Sequence, residues 1–330
     1  MNYFFLGTTG LRISQLCLGT MPFGGAADEA QSAALFHAAR EAGVNFFDTA
    51  NVYNQGRSEE ILGELTQNCR DQVVIATKAY FPTGDGPNDR GNSRYHLRRS
   101  VEESLRRLKT DRIDLFYLHR FDEFTAIEET LRTLDDLIRA GKILYLGASN
   151  FAAWQVARAL GKSELHGWAR FVAIQPMYNL VKRQAEVELL PLARAESLGV
   201  FPYSPLGGGL LSGKYGSTKR PENGRLVENQ MYQTRYQAPH YYQVAEDFTA
   251  LAQQRGLHPV SLAIAWTGAH RAVTAPIIGA KNLEQLQPAL QSVQLEIDDE
   301  LYLQISALSP APPPATDRNE ENTSFNYGTR

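Results

Sequence analysis

Two cysteines in 330 residues, Cys17 and Cys69, are too few for a disulfide framework, and neither stands in a CxxC or other metal-binding spacing. Both are expected to be reduced core thiols. No HxH, HExxH or carboxylate cluster offers another metal site, which sets the metal-dependent barrel hydrolases aside. No run approaches the ~20 apolar residues of a membrane span, and Met1-Asn2-Tyr3-Phe4-Phe5-Leu6-Gly7 lacks the basic and long apolar regions of a secretory signal. Cytoplasmic residence is the expectation. An excess of one charge is missing too: 33 basic and 36 acidic residues leave a net charge of −3, with no general pull toward nucleic acid or an anionic membrane. GxGxxG is absent, so there is no Rossmann turn for a dinucleotide. A small-molecule partner fits these absences; nothing in them speaks to oligomeric state.

What is present is alternation. A hydrophobic share of 43% supports a sizeable core. Strand-like runs recur at residues 15–19, 44–48, 72–78, 114–119, 143–149, 171–175, 200–204 and 274–279, and the segments between them have helical spacing, as in Leu35, Ala38, Ala39 and Ala42. Eight βα units predict a (β/α)₈ TIM barrel, one domain over residues 1–309. Gly43, Gly141 and Gly199 stand where helices should end. Ahead of the first barrel strand, residues 3–6 and 11–13 flank Gly7-Thr8-Thr9-Gly10, a hairpin expected to plug the amino-terminal end. Two segments, residues 79–92 and 204–239, are longer than a connection requires and belong to the opposite, active rim. Residues 310–330 form a Pro-rich polar tail that reads as a linker; Phe325 and Tyr327 are the side chains that would dock if it closed the pocket.

Four polar residues stand at or just after consecutive strand ends: Asp48, Tyr53, Lys78 and His119. Loops at the carboxyl ends of parallel strands share one crevice, so these residues should converge. The segments Asn45-Phe46-Phe47-Asp48-Thr49-Ala50-Asn51-Val52-Tyr53, Ile75-Ala76-Thr77-Lys78 and Asp114-Leu115-Phe116-Tyr117-Leu118-His119 resemble the aldo-keto reductase superfamily, and the likeness covers nearly all of residues 1–300. Gly91-Asn92-Ser93 and Gly141-Lys142-Ile143 are similar to its aryl-alcohol-dehydrogenase-like branch. The chemistry is coherent. A phenol with a pKa near ~10 is a poor proton donor at neutrality, and a neighbouring ammonium lowers it. Lys78 supplies that charge, Asp48 holds Lys78, Tyr53 acts as general acid toward a carbonyl oxygen, and His119 donates to the same oxygen. The resemblance implies the same roles.

It also implies NADPH, with NADH as the lesser choice, laid across the barrel top. Ser149, Asn150 and Gln175 would bind the carboxamide and Tyr203 would stack on the nicotinamide. Ser149-Asn150 could equally cap the helix starting near Phe151. The loop from Ser204 through Leu206, Gly207 and Gly209 to Lys214 would cover the pyrophosphate. Gly208-Gly209-Leu210-Leu211-Ser212-Gly213-Lys214-Tyr215 nearly spells a P-loop, which Tyr215 breaks. Gly279, Lys281 and Gln285 would grip the adenosine 2′-phosphate, although Ile278 and Ala289 depart from the family's usual proline and asparagine. Met21, Phe23, Tyr80, Phe81, Arg120, Phe121 and Tyr178 are the expected pocket walls. The basic run Arg94 to Lys109 is interleaved with Glu102 and Glu103 and reads as a solvated helix face. A rival reading, a coenzyme-binding regulatory subunit, follows from likeness to potassium-channel β subunits; the chain shows no extended amino-terminal inactivation segment, which disfavours it.

Overall fold

In the computed structural model, which describes residues 1–325, the hairpin β1 (Tyr3–Phe5) and β2 (Arg12–Ser14) is antiparallel and precedes eight parallel strands. These are β3 (Cys17–Gly19), β4 (Phe46–Asp48), β5 (Val74–Ala79), β6 (Ile113–Leu118), β7 (Ile143–Ser149), β8 (Phe171–Gln175), β9 (Gly199–Val200) and β10 (Ile277–Ile278). Their order, β10-β3-β4-β5-β6-β7-β8-β9, leaves β9 and β10 to meet. They do so sparsely: Ala275 N–H donates to the Val200 carbonyl at 3.3 Å and Ile277 N–H to the Pro202 carbonyl at 2.9 Å. The result is the (β/α)₈ barrel. These last two strands are two residues long, where the sequence suggests five and six, because proline at 202 and 276 interrupts each run.

Six helices alternate with β3 to β9: α1 (Glu29–Glu41), α2 (Arg57–Thr66), α3 (Arg94–Arg107), α4 (Ile127–Arg139), α5 (Ala153–His166) and α6 (Leu189–Ala195). Between β9 and β10 the chain adds α7 (Arg225–Glu228), α8 (Gln230–Arg235), α9 (Pro239–Gln254) and α10 (Pro259–Ala269), and after β10 come α11 (Leu283–Gln291) and α12 (Asp299–Ser306). The stretch 204–239, read as one long loop, therefore contains two short helices. Local chemistry sets several starts: Asp28 accepts from Gln31 N–H while Gln31 answers it, and proline opens α9 and α10. None of these helices is long and apolar enough to cross a membrane.

Strand alternation sorts the core into two shells. Outward residues such as Phe47, Ile75, Phe116 and Leu146 pack against the helices, while Phe46, Ala76, Leu115, Tyr117, Ala173 and Phe201 fill the barrel. Leu6 and Ile13 from the hairpin are fully buried in that inner shell, so the hairpin does plug it. Gly199 is not a helix terminator as expected. Ser197 takes the left-handed turn after α6, and Gly199 lacks a side chain because the Phe201 ring lies 3.1 Å from where its Cβ would be. In α3, Glu103 faces Arg99 and Arg107 four residues either side, and Glu102 pairs with Lys142, which bears out the solvated face. Beyond α12, Phe325 is 70% exposed and not docked on the pocket; Tyr327 lies outside the described residues.

Candidate active site

The inner-shell parity that buries Phe46, Ala76, Tyr117, Gly147, Ala173, Phe201 and Ile277 places the residue two positions later in each strand on the barrel's upper face. Those residues are Asp48, Lys78, His119, Ser149, Gln175, Tyr203 and Gly279. The side chains of Asp48, His119, Ser149, Gln175 and Tyr203, with Gly279, thereby line a single cavity of about 740 Å³, and Lys78 is buried against it.

At its floor the Lys78 side chain, fully buried, donates to Asp48 Oδ1 at 2.5 Å and to the Thr49 carbonyl at 2.7 Å; its Nζ lies 3.4 Å from the Tyr53 hydroxyl. Gln175 Nε2 donates to the other Asp48 oxygen at 2.8 Å. Tyr53 is held through its neighbours. Asn54 donates to the carbonyls of Met21 and Phe23, and the Ser58 hydroxyl donates to the Thr20 carbonyl and contacts Thr49 Oγ1 at 2.9 Å. The Tyr53 and His119 rings meet edge to face at 6.0 Å, and Phe81 closes on His119 at 4.8 Å. Non-glycine residues rarely take left-handed backbone, yet Asn54, Gln55, Asn150 and Ser204 all do, and all four follow barrel strand ends.

Electrostatics refines the expected chemistry. Burial works against the Lys78 charge, and the Asp48 carboxylate with the Tyr53 hydroxyl outweighs it, so the ammonium is held above its ordinary range. Burial raises Asp48, restrained by Lys78 and Gln175. Burial also raises Tyr53, and Lys78 lowers it by less; the phenol stands above 10, not below as the sequence led us to expect. Asp48 already compensates the ammonium, leaving less of its field for the phenol. Burial, then Lys78, drives His119 well below 6.5, so it is a neutral imidazole.

His119, His96 and His270 all have lowered pKa values through burial. The unfolded chain binds protons at these positions as the pH drops below 6.5 while the folded chain resists, so stability should decline with acidification from that point. Melting temperatures at pH values either side of 6.5 check this, and His119→Gln should flatten the slope. A fold that gains stability on acidification through this range would contradict a neutral His119.

Not every expected residue reaches the cavity. Met21 and Phe81 line it. Phe23 is 1% exposed and belongs to the outer core, and Tyr178 is fully buried, donating to Glu186 at 2.7 Å and stacked on Trp266. Both are packing residues. Tyr80, Arg120 and Phe121 follow strand ends but do not line the cavity; Tyr80 packs edge-on against Phe81, and Phe121 against Phe151 and Trp154. Ser149 and Asn150 do not cap α5: Ser149 donates to the Gln175 carbonyl, and Asn150 donates to the His119 carbonyl and accepts from the Tyr203 hydroxyl at 2.7 Å. Ser204, Leu206, Gly209, Lys214, Gly279, Lys281 and Gln285 all line the cavity, whereas Gly207 is buried beneath, against Leu210 and Tyr236. The Gly207 and Gly209 N–H groups are used within the turn, donating to the Ser204 and Leu206 carbonyls.

Sequence reading missed Arg225, Met231, Tyr232 and Arg235, which line the cavity from α7 and α8. Asn229, whose side chain accepts from Met231 and Tyr232 N–H, and the four-residue spacing of Tyr232 and Tyr236 were the available signals.

Comparison with known proteins agrees with this geometry. The model of the aldo/keto reductase family matches residues 15–310. The chain is 39% identical over 327 residues to the uncharacterized oxidoreductase YrpG of Bacillus subtilis, covering 94% of this chain and 97% of that one. It is 35% identical over 319 residues to a norsolorinic acid reductase of Emericella nidulans (91% and 79%), and 36% identical over 302 residues to a probable voltage-gated potassium channel subunit beta of rice (89% and 92%). The chain belongs to the aldo/keto reductase family. It is an NAD(P)H-dependent oxidoreductase on a (β/α)₈ barrel, with a nicotinamide dinucleotide as its cofactor.

Proposed function

We propose that this protein reduces an aldehyde or ketone with NADPH, and oxidises the alcohol in reverse, with Tyr53 as the general acid. The observation that carries this is Lys78, a fully buried ammonium between Asp48 and the Tyr53 hydroxyl at the floor of the cavity. Cytoplasmic residence remains part of the same reading.

The cavity suits a dinucleotide by its donor set. Lys214, Arg225 and Lys281 line it against Glu284 and an Asp48 already committed to Lys78, an excess of positive charge that fits a polyanion. Gly208 and Gly209, both left-handed, keep the wall beside Ser212 and Lys214 free of side chains. Lys214 would meet the pyrophosphate. Lys281 and the N-terminus of α11, capped by Asn282, would meet the 2′-phosphate, with Gly279 and Gln285 beside them. Ser149, Asn150 and Gln175 would hold the carboxamide, and Tyr203 the nicotinamide face. Bound there, the coenzyme supplies a hydride. The protein's own part is proton delivery. Tyr53, protonated, gives its proton to the oxygen that becomes the alcohol; Lys78 stabilises the phenolate left behind; Asp48 keeps Lys78 charged; neutral His119 donates a hydrogen bond to the same oxygen.

The test is a carbonyl and alcohol panel with each coenzyme: aldehyde-dependent NADPH oxidation is expected. The rice relative's name favours a second reading, a coenzyme-binding regulatory subunit. Tight NADPH binding with no turnover across the panel would select it. Lys281→Ala should raise the NADPH dissociation constant about 10- to 100-fold and that of NADH by no more than about threefold, because only the former brings a 2′-phosphate. Equal losses would move the phosphate contact elsewhere.

A further inference from the structure

Arg235 is a cation in the cavity with no acid to hold it. Among the described residues it forms no ion pair; its contacts are Met231 Sδ at 3.8 Å and the Tyr232 ring, whose centroid is 5.0 Å from the guanidinium carbon. A half-buried guanidinium has a planar fork of donors suited to a carboxylate, and among the described residues only the Met231 sulfur, a weak acceptor, takes a hydrogen bond from it.

The helix presenting it is fixed in place. Tyr232 on α8 and Tyr236, which caps the helix's C-terminus one turn later, are buried. Asn179 Nδ2 donates to the Tyr236 hydroxyl at 3.2 Å and to the Ser204 carbonyl at 2.9 Å, tying α8 to the strand-end segment that carries Tyr203. The Tyr232 ring sits 2.7 Å from where a Cβ on Gly208 would be, so α8 lies directly on the glycine turn. Arg235 is therefore a positioned charge.

Its place distinguishes it from the other cations. Lys214 follows the glycine turn and Lys281 precedes α11, the two locations suited to phosphates; Arg225 comes from α7 and lies over the same Tyr232 ring at 5.3 Å, its Nη1 3.5 Å from the Tyr232 hydroxyl. Arg235 instead adjoins Tyr236, whose hydroxyl accepts from the same Asn179 amide that donates to the Ser204 carbonyl, next in the chain to Tyr203; in keeping with that, the Arg235 charge opposes the burial that raises the Tyr203 phenol. Tyr203 in turn bonds Asn150, whose side chain holds the His119 carbonyl. This arginine thus belongs to the reacting end of the cavity. The same cavity carries Met21, Phe81 and Met231, apolar surface for a hydrocarbon spacer.

We propose that Arg235 binds a carboxylate of the substrate, and that the carbonyl compound is an oxo acid, an aldehyde or ketone whose carboxylate lies beyond an apolar spacer. A single guanidinium matches a monoanion; a phosphate dianion calls for the converging cations and amides found elsewhere in the cavity. The inference rests on the carbonyl-reductase reading.

The test compares aldehydes that differ only in charge: para-carboxybenzaldehyde against its methyl ester, and an aliphatic ω-oxo acid against the matching alkanal, each with NADPH. The wild-type protein should prefer the acid in kcat/KM. Arg235→Leu should lower the acid-to-neutral ratio about 10- to 100-fold, mainly through KM, with Arg235→Lys between. Arg235→Glu should invert the preference toward an aldehyde carrying an ammonium group. NADPH affinity, read by fluorescence titration, should move by less than about threefold in Arg235→Leu. An unchanged ratio overturns the proposal. So does a loss of NADPH affinity as large as the loss of ratio, which would give Arg235 to the coenzyme. If the wild-type protein reduces no aldehyde, the reductase reading fails, and titrating the NADPH-loaded protein with para-carboxybenzamide decides the arginine separately: binding lost in Arg235→Leu supports the carboxylate site, and no binding by the wild type refutes it.

Discussion

Tyr53→Phe should lower kcat for carbonyl reduction about 10²- to 10⁴-fold, the range over which a positioned proton donor acts. The ring remains, so its edge contact with His119 and its packing over Lys78 remain, with Nζ 5.0 Å from the ring centroid. NADPH affinity should therefore stay close to that of the wild type, and the loss should fall on kcat and kcat/KM together, as for a group that acts only in the transition state. The pH profile supplies a second readout. Because the phenol stands above 10, wild-type reduction should lose activity only beyond that pH, and alcohol oxidation, which needs the phenolate, should rise toward it. Phe at this position should abolish both limbs. Wild-type turnover in Tyr53→Phe would falsify the assignment of the proton donor.

Asp48→Asn should lower the free energy of unfolding by about 3–5 kcal/mol, since it leaves the Lys78 ammonium buried without a counter-charge. The Thr49 carbonyl, at 2.7 Å, solvates that ammonium only in part. Lys78→Met should be milder. Burial already raises the Asp48 carboxyl, so the carboxylate left behind takes up a proton and keeps its hydrogen bond from Gln175. Chemical denaturation of the two variants side by side measures the asymmetry. A larger loss in Lys78→Met would mean that Asp48 stays ionised without its partner and that the pair is held together differently.

The barrel and its reactive layer were legible because strand period and strand end are both written in residue type. A polar residue closing an apolar run, as Lys78 closes Val73 to Thr77, has its direction set by alternation. Beyond the strand end that periodicity stops, and direction can no longer be read. Phe23 and Tyr178 are aromatic residues shortly after strand ends, as Phe81 is, yet they turn into the core: Tyr178 has Trp266 to stack on and Glu186 to bond, partners distant in space and unrelated in pattern. The same limit hid Arg235. Its helix has six residues, too few for an apolar stripe, and its placement comes from Asn179, which bonds Tyr236 from 57 positions earlier in the chain. The sign of the Tyr53 shift was also beyond the sequence, because it depends on how completely Asp48 cancels Lys78.

The two carbonyls that close the barrel, those of Val200 and Pro202, have a consequence for breathing. Every other neighbouring pair of barrel strands is registered by a ladder, so local opening should begin between β9 and β10, and the amides of Ala275 and Ile277 should exchange with solvent faster than those of β5 and β6. Tyr203 and Ser204 stand on one bank of that gap and Gly279 and Lys281 on the other. A dinucleotide laid between them would act as a rivet, slowing exchange there first and making the coenzyme part of what keeps the barrel shut.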